Sequence, residues 1–74
     1  MKKYLIVIEK DESGSFGAYS PDLPGCVVVG GSQEETEQLM YDAIAFHLAG
    51  LKEEGMPVPD NKSSAEYLLV PEAV

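Results

Sequence analysis

A chain of 74 residues has room for one small domain, and a domain of that size buries only ~60% of the surface its unfolded chain exposes. Thirteen acidic residues stand against five lysines and no arginine, a formal net charge of −8, which repels phosphate backbones and argues against direct nucleic-acid binding while favouring a basic protein partner. One cysteine excludes an internal disulfide, nothing approaches the ~20 apolar residues of a membrane span, and a free thiol without an export signal fits the cytoplasm.

Lys3–Lys10 reads as the first strand, rich in Tyr, Ile and Val. Tyr4, Ile6 and Ile8 share one face, and Leu5, Val7 and Glu9 share the other. Both faces are largely apolar, the pattern of a central strand. The polar turn Asp11–Ser15 predicts a hairpin into a second strand, Phe16–Ser20, and Cys26–Val29 is a third, β-branched strand.

The segment between strands two and three, Ser20-Pro21-Asp22-Leu23-Pro24-Gly25, is the most constrained of the chain. Each proline fixes φ, removes a backbone donor and holds the preceding residue extended. Gly25 admits a positive φ. Such a loop is either a stiff connection or a preset surface presenting Asp22 and Leu23 at low entropic cost.

Gly30-Gly31 breaks the third strand, and Ser32 opens a helix that runs to Glu54. Ser32 and Glu35 have the capping-box spacing, and Glu34, Glu35 and Glu37 suit the positive end of the helix dipole. Leu39, Met40, Ala43, Ile44, Leu48 and Leu51 form a helical stripe. Gly55 suits the position after the cap, and Pro57 blocks continuation. The extended run from Pro57 to Ser64 leads to a last predicted strand, Glu66–Val70. The fold class is therefore α+β, in the order β-β-β-α-β, with an antiparallel sheet and one long helix on one face. The other sheet face remains apolar. A core this small supplies no more than ~3–5 kcal/mol, so a homo-oligomer, dimer or tetramer, is expected.

Phe16-Gly17-Ala18-Tyr19, then Pro21-Asp22-Leu23-Pro24-Gly25-Cys26, and the run from Ser32 through Glu53-Glu54-Gly55 to Pro57 and Pro59 resemble the HicB family of antitoxins. The resemblance spans essentially the whole chain. It implies a pared-down ribonuclease H-type fold and an antitoxin that occludes a small, basic, RNA-cleaving toxin of the HicA type. It implies contacts at Asp22 and Leu23. Tyr19 and the acids Glu34, Glu35 and Glu37 join them as expected partner-binding residues, the glutamates on charge alone. Many HicB proteins carry a further C-terminal DNA-binding domain. Here a single domain over residues 1–74 is expected, without it and without autorepression.

The residues argue against chemistry of the chain's own. Cys26 lacks a nearby base or electropositive setting and is expected to be buried and inert. His47, the one histidine, lies on the helix stripe and makes no zinc site alone. Glu9, Asp22 and Asp42 do not converge as a metal-dependent nuclease requires. Gly30-Gly31 lacks the lysine and hydroxyl of a phosphate loop. No catalytic residue, metal or cofactor is expected. The alternative to the antitoxin is a homo-oligomeric scaffold or small-ligand-binding domain without a toxin.

Overall fold

The computed structural model describes residues 1–72. Its elements are β1 (Val7–Lys10), β2 (Phe16–Tyr19), β3 (Val27–Gly30) and α1 (Gln33–Glu53). The three strands form one antiparallel sheet in the order β1-β2-β3. Register places Ile8, Ala18 and Val28 in one row and Val7, Tyr19 and Val27 in the next. Because side chains alternate across a strand, the first row faces α1 and the second faces outward.

The inner row belongs to the core. Ala18, Leu23, Cys26 and Met40 are buried, with Tyr4, Ile6, Ile8, Val28, Ile44 and Leu48 packed around them. The helix lies over β3 and β2. Gly30 makes that approach possible: a Cβ there would stand 2.5 Å from Thr36 Oγ1. The helix starts as its sequence dictates. Glu35 N donates to Ser32 Oγ at 3.1 Å, and Glu35 Oε1 accepts from Gly31 N at 2.6 Å. It ends in a Schellman arrangement, with Met56 N donating to Leu51 O and Gly55 N to Lys52 O.

Three expectations change. The first strand is shorter than Lys3–Lys10 and begins at Val7. Its partner β2 ends at Tyr19, opposite Val7, and Pro21 brings no amide to continue the ladder. Side chains take over instead, with Ser20 Oγ donating to Leu5 O and Leu5 N to Asn61 Oδ1, both at 2.9 Å. Second, β1 is an edge strand and β2 is the central one, although the longer run Tyr4–Ile8 has apolar residues on both faces. Third, the strand expected over Glu66–Val70 is not formed. Residues 56–72 carry neither helix nor strand. Tyr67 and Leu69 are 101% exposed, and among the described residues no strand pairs with them.

The radius of gyration is 14.9 Å, within extents of 55 × 27 × 19 Å. A compact chain of this length has a radius near ~11 Å. The excess reflects the extended segment after the helix.

Candidate partner-binding surface

The Ser20–Cys26 loop is two β-turns joined at Leu23. Leu23 N donates to Ser20 O at 3.2 Å, and Cys26 N to Leu23 O at 3.1 Å. Each turn has proline in its second position, where φ near −65° is required. Gly25 occupies the third position of the second turn at φ 91°, as a type II turn demands. The loop takes the turn geometry that its prolines and glycine favour.

Its side chains do not point where a recognition loop would send them. Leu23 is fully buried and belongs to the core. Two tight turns fold the shared residue inward, where its apolar side chain leaves water. Asp22 is half-buried and already engaged. Its Oδ2 accepts from Lys62 N and Ser63 N, each at 2.9 Å. The Lys62 amide first, and the Ser63 amide and hydroxyl after it, hold the Asp22 carboxyl below its ordinary range. Asp22 thus fastens the segment after the helix to the end of the sheet.

That fastening has further members. Tyr4 OH donates to Pro59 O, and Lys2 pairs with Asp60. Asn61 Nδ2 donates to Ser63 O while its Oδ1 serves Leu5. Asn61, Lys62 and Ser63 had no role in the sequence reading beyond a polar loop. Their partners lie 40 to 56 positions away, so no local pattern could have found them.

The remaining expected contacts are on the surface, on separate elements. Tyr19 is 41% exposed, on the outer sheet face between Val7 and Val27. Glu34, Glu35 and Glu37 are exposed in the first turns of α1. The Pro-Asp-Leu-Pro loop precedes β3 and the helix start follows it, so the two lie at opposite ends of a four-residue strand, ~13 Å apart along it. The glutamates form an acidic helix start by themselves.

Two apolar surfaces accompany them. On the outer face, Val27 and Val29 are 66% and 69% exposed. On the inner face, α1 leaves an open groove of about 470 Å³ beside the approach to β1, lined mainly by Tyr4, Ile6, Met40, Tyr41, Ile44 and Leu48. Phe46 stands exposed elsewhere on the helix.

Cys26 is buried, and desolvation pushes its thiol pKa up, which disfavours the thiolate a nucleophile needs. His47 is half-buried on α1, and Glu9 and Asp42 are exposed on separate elements. Among the described residues no group of three or more His, Cys, Asp or Glu is placed to hold a metal ion. No described helix is long and apolar enough to cross a membrane.

This architecture has relatives. Residues 4–73 match the family model for the HicB-like antitoxin of bacterial toxin–antitoxin systems. The chain belongs to the HicB-like antitoxin family. The solved N-terminal domain of Burkholderia pseudomallei antitoxin HicB is similar in structure, with a TM-score of 0.72 and 29% identity, covering 80% of this chain and 69% of that one. A UPF0150 protein of Thermoplasma acidophilum is 32% identical over 68 residues, 92% of this chain and 96% of its own length. An uncharacterized 14.9 kDa protein of Haemophilus phage HP1 is 33% identical over 69 residues, and there the HicB-like chain spans about half of the relative's length.

Proposed function

We propose that this HicB-like chain neutralises a small basic RNA-cleaving toxin of the HicA type by covering its RNA-binding surface. The observation that carries the reading is the acidic helix start. Glu34, Glu35 and Glu37 are exposed together in the first turns of α1, on a chain of net charge −8, in a family of antitoxins. Complementary charge draws a cationic partner in and fixes its orientation. Tyr19 adds a half-exposed aromatic on the sheet face. Asp22 and Leu23 act from behind, holding the loop and the return segment. The chain inhibits as a binding partner rather than as an enzyme. It does so in the cytoplasm, as a homo-oligomer, through this one domain and without contacting nucleic acid.

The test is an RNA-cleavage assay with a small basic toxin of the HicA type, sought among the genes that flank this one. Equimolar antitoxin suppresses cleavage. Reversing two helix-start charges, Glu34→Lys with Glu37→Lys, slows association about tenfold at low salt, the scale on which steering acts. Cleavage that continues undiminished with the chain in excess overturns the reading.

A further inference from the structure

The segment after the helix is anchored at one end and unpartnered beyond. Lys62 and Ser63 are held by Asp22. From Ser64 on, no hydrogen bond forms among the described residues. Tyr67, Leu68, Leu69 and Val70 follow, and 101%, 82%, 101% and 75% of their respective surfaces are exposed. Tyr, Leu and Val in an uncharged run are strand-forming residues, and a flat apolar strand left in water invites pairing with another chain. Tyr67 and Leu69 take one face of such a strand, Leu68 and Val70 the other.

The sheet has a matching vacancy. β1 lies at the edge, and the segment Tyr4–Ile8 that leads into it is apolar on both faces, like a strand with neighbours on either side. Tyr4 and Ile6, which precede β1 on the same face as Ile8, floor the 470 Å³ groove beside α1. The helix lies over β2 and β3, so the β1 side of the inner face is left open. The free run Ser64–Val70 is as long as Tyr4–Lys10, seven residues in each case, or ~23 Å when extended.

We propose that Glu66–Val70 of one copy adds as a strand to the free edge of β1 in a second copy, reciprocally. The side chains of one of its faces close the apolar groove. Its own β1 is within reach and is not taken: Tyr67 lines an open depression with Ile6, Ile8 and Phe16 and stays wholly exposed. A strand apolar on both faces needs cover on both. One chain has a single helix, spent on β2 and β3, whereas two chains provide two layers. Charge selects the same contact. Two copies of net charge −8 repel each other, and they meet best where acids are sparse. Tyr67–Val70 carries no charge, and the charged residues lining the groove are Lys2 and Glu37, one of each sign. A basic toxin finds no anchoring acid along that run.

The inference rests on the reading of a self-associating chain, not on the toxin. Solution mass by light scattering at tens of micromolar tests it. The unaltered chain runs at a multiple of 8.0 kDa. Leu68→Asp with Leu69→Asp lowers it to the single-chain mass while the helical circular-dichroism signal persists, since both side chains are exposed in the single chain. An unchanged mass, or an unaltered chain that is already monomeric, overturns the proposal. The occupant is identified by cross-linking. Chains with Glu9→Cys are mixed with differently tagged chains carrying Glu66→Cys and treated with a short bis-maleimide; Cys26 is buried and stays in place. Linkage between the two tags supports exchange. No linkage between tags, with linkage inside one chain when both substitutions are combined, overturns it in favour of intrachain pairing. The same Asp variant in the RNA-cleavage assay keeps the readings apart, because cleavage reports on the toxin and mass on the exchange.

Discussion

The Ser20–Cys26 loop and the Ser64–Val70 tail are both irregular and both carry apolar side chains, and they meet opposite fates. In the loop, paired turns satisfy the backbone and Leu23 is fully buried. In the tail the backbone makes no bond and every large apolar residue faces water. The difference lies in what each needs from its surroundings. One leucine between two tight turns has a single direction to turn, and the core fills it. A two-sided strand needs a pairing edge and two covering layers, more than one helix and three short strands offer. Rigid turn chemistry therefore marks a structural plug in this chain, and the flexible-looking end marks the unsatisfied surface.

Truncating the plug is the strongest way to break that contrast. Leu23→Ala removes a fully buried side chain and costs about 2–5 kcal/mol. That matches the ~3–5 kcal/mol a core of this size supplies, so the expected outcome is loss of the cooperative urea transition. Leu69→Ala removes the same atoms from a wholly exposed position and leaves the single-chain fold intact, lowering solution mass and, through lost association, shifting the urea midpoint without abolishing the transition. Equal transitions for the two variants would erase the distinction.

Gly30→Ala sharpens the comparison at the next level, where helix and sheet meet. The new Cβ lies 2.5 Å from Thr36 Oγ1 and 3.2 Å from Thr36 Cα. Thr36 is fully buried, and its hydroxyl donates to Ser32 O at 2.7 Å. The expected cost is about 1–3 kcal/mol of overpacking, and a smaller one in a Thr36→Ala background, because neighbours that share a contact are not additive. Gly17→Ala is the control. Its Cβ would meet only Val28 O, at 3.8 Å, and denaturation should barely move.

Which parts were legible follows from how far apart the determinants sit. Ser32, Glu35 and Gly55 act on amides and carbonyls within one turn, so both helix ends could be read from spacing. The three strands and their antiparallel order follow from short polar connections. The turn geometry of the Pro21–Gly25 loop is legible for the same reason. The direction of Leu23 was not, since it depends on Met40 and the inner sheet row closing over it. Asp22 looked like a presented charge because its partners, Lys62 and Ser63, are 40 and 41 positions away. The apolar residues on both faces of Tyr4–Ile8 point to a central strand, whereas the sheet order, set by contacts between distant segments, puts β1 at the edge. The loop and the acidic helix start lie at opposite ends of β3, a separation set by topology rather than by local pattern.

Acid sharpens the same comparison with the smallest effect. The Asp22 carboxyl titrates below its ordinary range, chiefly because the Lys62 amide donates to its charged form. A depressed folded-state value means that the stabilisation is fully present above the unfolded value of ~3.9 and disappears as the pH falls through the folded one. The anchor is intact at neutral pH, weakens below about pH 4 and is gone only further into acid. Amide NMR from pH 6 to pH 2 should show Lys62 and Ser63 moving together, with a midpoint below the usual carboxylate value. The turn amides of Leu23 and Cys26 bond to carbonyls and should hold still over that range. Asp22→Asn keeps an acceptor oxygen but removes the titration, so both anchor amides should become insensitive to acid. If the turn amides follow the same midpoint, loop and tail are one cooperative unit, and the division between a locked plug and a tethered arm fails.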